Sequence, residues 1–109
     1  MAYTNRGGPP FARNLTATTN AAVATNGVAN STQADLAPYN LPTKTSWVRL
    51  AVTTFAVRVY FNQADCTDNL NYVPVAAGAV VEFPMDLAQL WLRGVGGTAV
   101  IDVLGIGKV

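Results

Sequence analysis

The fold of this chain turns on residues 80–104, VVEFPMDLAQLWLRGVGGTAVIDVL. Two apolar runs, 87–93 and 98–104, flank the tetrapeptide Gly94-Val95-Gly96-Gly97. Apolar runs of strand length, separated by residues that accept positive φ, predict a β-hairpin buried on both faces. Residues 80–83 predict a short strand leading in, and Pro84-Met85-Asp86 the corner that follows. A single helical turn over 84–90 is the alternative for that corner.

Upstream, residues 47–52 alternate, with Val48, Leu50 and Val52 on one face and Trp47, Arg49 and Ala51 on the other. Thr53-Thr54 reads as a turn or bulge. The next segment places Phe55, Val57, Val59 and Phe61 on one face, and Ala56, Arg58, Tyr60 and Asn62 on the other. This period of two is the mark of a half-buried strand. Residues 62–71, NQADCTDNLN, are rich in turn formers and predict a loop. Tyr72 to Val75 predicts a brief strand that Pro74 places at an edge or beside a bulge. The last residues, 105–109, read as a loose tail.

Residues 1–42 differ in composition. Ala, Thr and Asn make up half of them, and large apolar side chains are sparse. Such a segment cannot bury enough surface to offset its ordering entropy. It predicts an extended or flexible N-terminal arm ahead of a β domain at 43–109. If the arm orders, it does so against a neighbouring subunit, with Phe11, Leu36, Tyr39 and Leu41 as pegs. Arg6 and Arg13 are its only cations, which disfavours direct nucleic-acid binding.

The totals limit the chemistry. The chain has 109 residues and no histidine, so the commonest general base and metal ligand are missing. The single cysteine, Cys66, excludes an intrachain disulfide and a thiolate cage. Asp65, Asp68, Asn69 and Asn71 gather oxygens that could face Ca²⁺, but their spacing is not that of an EF-hand and turn chemistry explains them. Ser31 and Ser46 lack a partner to activate them. The glycine tetrapeptide is followed by a strand pattern rather than a helix, so it does not read as a phosphate loop. No catalysis, cofactor or metal is expected. No apolar run reaches the roughly 20 residues of a membrane-spanning helix, so no membrane partner is expected.

Together these patterns predict an all-β fold, a small antiparallel β-sandwich or jelly-roll-like barrel with an extended N-terminal arm. A folded part of about 67 residues is marginal alone, burying about 60% of its unfolded surface. Trp91, Val100 and Leu104 lie opposite the expected core face and need cover, and Trp47, like Trp91, is expected in the core or at a subunit contact. A homo-oligomer is the expected cover. Trp47, Trp91, Tyr60 and Tyr72 could instead form an aromatic platform for carbohydrate or receptor recognition.

The chain resembles the small virion structural proteins of tailed bacteriophages, especially head decoration or cement proteins. The resemblance is carried by Gly7-Gly8-Pro9-Pro10 in an Ala/Thr/Asn-rich start, by the strand pair over 47–61, and by the ending AAGAVVEFPMDLAQLWLRGVGGTAVIDVLG. It implies a non-catalytic β module that binds a major capsid protein or another virion component, including a tail or neck part. The expected location is then a virion assembled in the host cytoplasm.

Overall fold

Thr45–Tyr60 (β4) and Gln89–Gly107 (β7) run antiparallel over nearly their full lengths, and the other strands are added to this ribbon. The structure is a computed structural model and describes residues 8–17, 23–25 and 38–108. On the free edge of β7 lies Pro10–Ala17 (β1), in the register Phe11↔Gly105, Leu15↔Ile101 and Ala17↔Ala99. Val23–Thr25 (β2) pairs with the outer side of β1, and Tyr39–Asn40 (β3) pairs with the first residues of β7. The opposite edge of β4 carries Val80–Phe83 (β6) and Val73–Val75 (β5). Every pairing is antiparallel. The one helix among the described residues is the short α1, Gln63–Asp68.

The apolar alternation of β4 changes phase in mid-strand. Val48, Leu50 and Val52 are buried, and then Val57 and Val59. β7 does the same, from Leu90 and Leu92 to Ala99, Ile101 and Val103. A regular strand would have turned the second set to solvent, because a slip of one residue reverses every side chain. Irregularities at the same level of both strands prevent this. The register passes from Val52↔Ile101 through Thr54↔Val100 to Ala56↔Val95, which leaves extra residues in β7. Gly96 takes φ 87° and Phe55 φ 56°, the left-handed geometry that bulges use. Both halves therefore present their apolar sets to a single core. Each fully buried Val, Leu or Ile contributes about 1.5–3 kcal/mol.

The ribbon is also bent on itself. Thr45 pairs with Gly107 in the ladder, yet its N–H donates to Leu87 O at 2.8 Å, and Leu41 N–H donates to Ala88 O at 2.9 Å. Phe61, just beyond the end of β4, meets Phe83 edge to face at 5.4 Å, although Phe83 pairs with Val48 in the first half. One bent sheet thus supplies both layers around the core.

Several expectations are corrected here. The segment expected as a hairpin over 87–104 is instead one continuous strand from Gln89 onward, because β4 runs past the glycines on both sides and keeps pairing. Only Gly96 of the tetrapeptide has positive φ, and it serves a bulge in the strand rather than a chain reversal. The expected strands at 47–52 and 55–61 are likewise one strand, joined through the bulge at Thr53-Thr54. Residues 105–107 belong to β7 rather than to a tail. Residues 63–68 are helical rather than loop.

The division at residue 42 also gives way. Leu15 and Ala17 of β1, together with Tyr39 and Leu41, are buried in the core of their own chain. The alternation of Phe11, Arg13, Leu15 and Ala17 is short, and the composition of the whole segment hides it. It orders because β7 offers an open edge. Gly7, Ser31 and Leu36 lie outside the described residues.

Candidate functional site

The sheet has two outward surfaces, one on each side of the bulge, and the chain treats them differently. Beyond the bulge, Tyr60 of β4 and Trp91 of β7 are directly opposite and point away from the core. α1 covers them. Cys66 packs between them, with Tyr72 at the side, and Tyr60 and Cys66 are fully buried. Asn62 caps the helix by accepting from Asp65 N–H at 2.8 Å, and Asn69 ends it in the left-handed conformation. Arg93 donates to Cys66 O at 2.6 Å, placing a cation where the last helix carbonyls need donors. Burial pushes the Cys66 thiol up, opposed by the charge and hydrogen bond of Arg93.

This arrangement accounts for the oxygen-rich loop. Asp65 accepts from Asn62 Nδ2 at 2.8 Å and from Asn71 Nδ2 at 3.1 Å. Asn69 Oδ1 accepts from the Tyr60 hydroxyl and from Arg58 at 3.1 Å. Among the described residues no three His, Cys, Asp or Glu side chains gather as a metal would require. Beside α1, Ala56, Arg58, Tyr72, Pro74 and Val95 line an apolar groove of about 280 Å³, where the Arg58 guanidinium stacks 4.6 Å from the centre of the Tyr72 ring.

On the other side of the bulge nothing from the described chain covers the outward surface. Its residues stand in cross-strand rows set by the register. Ile106 lies beside Trp47, Leu104 beside Arg49, and Asp102 beside Ala51, with Val100 at the bulge end. β6 extends two rows, setting Glu82 beside Arg49 and Val80 beside Ala51. Leu104 and Ile106 are 39% and 37% exposed and Val80 is 52% exposed, so apolar side chains stand open among the charged ones on this face of the sheet. Trp47 is half-buried, and its indole donates to Glu82 at 3.3 Å. Asn14 donates to Asp102 at 2.6 Å. Glu82 is the cross-strand neighbour of Arg49, yet among the described residues Arg49 has no ion-pair partner.

The structure brings together three of the residues expected at an assembly surface: Val100, Leu104 and Trp47. It separates the others. Trp91 is 8% exposed and covered by its own helix, so it needs no second subunit to shield it. Phe11 lies on the core side, its ring filling the space above Gly105. Tyr39 and Leu41 are core residues, and Leu36 is outside the described residues. The four aromatics do not form a platform, because Trp47 stands apart from the cluster of Tyr60, Trp91 and Tyr72. Ile106 and Val80 are the members that sequence reasoning missed. The signal for Ile106 was present: Leu104 and Ile106 continue an out-facing alternation with Ile101 and Val103, which the glycines at 105 and 107 disguised as a tail.

Compared with protein-family models, curated proteins and solved structures, the chain has no significant match.

Proposed function

We propose that this chain is a non-catalytic structural protein that works by assembly, oligomerising and attaching to a larger shell as a capsid decoration or cement protein does. The observation that carries the reading is the apolar outward surface around Leu104 and Ile106. The backbone of β7 is held by ladders on both edges, so contact there costs side-chain rotamer entropy but no backbone ordering. Many such contacts repeated by symmetry raise avidity without any single strong bond. The resemblance of residues 76–105 to tailed-phage virion proteins supplies the class of assembly, with a major capsid protein or a tail component as partner.

Recognition of carbohydrate is supported less well. It calls for a tryptophan face open to solvent, whereas Trp91 is buried and the Trp47 indole is tied to Glu82. The deciding experiment is sedimentation of native particles from the natural source, with this chain followed by mass spectrometry. Co-migration with the shell at fixed stoichiometry is expected. Recovery only as a free small species, in a preparation whose shells are intact, would overturn the reading.

A further inference from the structure

The outward surface described above carries charges as well as apolar side chains, and their placement bears on what covers it. Arg49 on β4 and Asp102 on β7 sit in neighbouring rows of the same patch, diagonal to one another across Leu104 and Ala51. They make no ion pair within the chain among the described residues. A patch meant for a partner of one charge sign would hold the opposite sign throughout. This one holds an unpaired cation beside carboxylates in an apolar field, so it is complementary to itself.

From this we propose that the outward surface of β1, β7, β4 and β6 is an isologous contact with a second copy of the chain, in which Arg49 of each copy faces Asp102 of the other. The inference rests on the assembly reading above and names its first partner. In an isologous contact each unlike pair occurs twice, and like charges that meet are equally doubled. Leu104, between the charges, supplies apolar contact at the centre. β1, β7 and β4 give four outward rows and β6 gives two, which at ~4.8 Å between strands and ~6.8 Å between rows is roughly 450 Å². Two copies together bury about 900 Å² before side-chain relief, near the ~1,000 Å² total at the lower end of specific interfaces. The Asn14–Asp102 hydrogen bond fixes the carboxylate at the surface instead of letting it turn back.

The test uses the full chain in analytical ultracentrifugation over a concentration series, with far-ultraviolet circular dichroism to verify folding. Wild type should dimerise. Arg49→Asp and Asp102→Arg should each raise the dimer dissociation constant by at least about tenfold, since each sets two like-charge pairs in the contact. Mixing the two variants should restore a dimer, because the mixed pair holds only unlike charges. Restoration also shows that both variants are folded. Leu104→Glu should dissociate the dimer without rescue by either charge variant. A wild type that stays monomeric would overturn the inference, as would a dimer indifferent to all three substitutions or one that mixing does not rescue. Particle binding is scored separately. A monomer that still co-sediments with particles defeats this inference alone, and a dimer that ignores particles defeats the shell-binding reading alone.

Discussion

The Phe55 ring lies against Gly97 so closely that a Cβ on that glycine would fall 2.6 Å from two ring carbons. Phe55 itself holds φ 56°, a conformation that costs a bulky residue on the order of 1 kcal/mol or more. The pair sits at the bulge that lets one ribbon enclose a core. The glycines and the strained residue are therefore parts of one device, a bend that keeps both halves of β4 and β7 apolar side inward.

Substitutions at this bend should differ sharply in cost. Gly97→Ala meets only the far edge of a ring that is 46% exposed and can swing away, so a loss of about 1 kcal/mol is expected. Gly94→Ala meets backbone, with the carbonyl oxygen of Ala17 at 2.5 Å and that of Gly97 as close, and neither can move without breaking pairing. A loss of about 3 kcal/mol or more follows. Urea denaturation of both variants checks the order. Equal losses would mean that the backbone approach at Gly94 is not tight.

Removing the helix cap should expose the buried aromatic cluster. Asn62→Ala forfeits the hydrogen bond to Asp65 N–H and is expected to cost about 1 kcal/mol. Because α1 is the cover over Trp91, the variant should show red-shifted tryptophan emission and faster reaction of Cys66 with a thiol reagent. In the wild type, burial raises the thiol above its ordinary 9.0, so it stays protonated and slow at neutral pH. The sign for stability follows: the contribution is present below 9.0 and is lost as pH rises through the raised value. Unchanged thiol kinetics in Asn62→Ala would argue that α1 does not gate Cys66.

β1 should behave as core rather than as an appendage. Leu15 is 1% exposed and stands opposite Ile101, so Leu15→Ala should cost about 2–4 kcal/mol. An independent arm would give a value near zero. Chemical denaturation of the isolated chain distinguishes the two, and the loss should not depend on protein concentration.

Acid should weaken one surface tie in a defined direction. The hydrogen bond from Lys108 holds the Asp86 carboxyl below its usual 3.8, with the Lys108 and Lys44 charges adding to the effect. A depressed folded-state value means that the contribution is complete above 3.8 and disappears as pH falls through the lowered value. Both side chains are about half exposed, so the effect should be small and weakened by salt. Thermal melts of wild type and Asp86→Asn should converge below that window and separate above it. A separation that persists unchanged into stronger acid would assign the difference to something other than this ion pair.

The sequence by itself determined the strand content and much of its grain. The alternations around Val48–Val52, Val57–Val59 and Ile101–Val103 are local, since side chains on a strand take opposite faces at each step. Val80–Phe83 and the edge position of Pro74 were legible for the same reason, and so was the outward direction of Val100 and Leu104. What only the tertiary structure decided was long-range. Whether Gly94–Gly97 reverses the chain or kinks it depends on whether a partner strand continues past it, and β4 does. Whether 10–17 is an arm or a strand depends on whether an edge is free to receive it, and that edge belongs to β7, some 90 residues away in the chain. Trp91 and Leu104 were equally apolar and equally outward in sequence. A six-residue helix covers the first and leaves the second open: Asn62 and Asn69 cap that helix locally, but it lies over Trp91, with Arg93 donating to Cys66 O, only once β4 and β7 have paired beneath it.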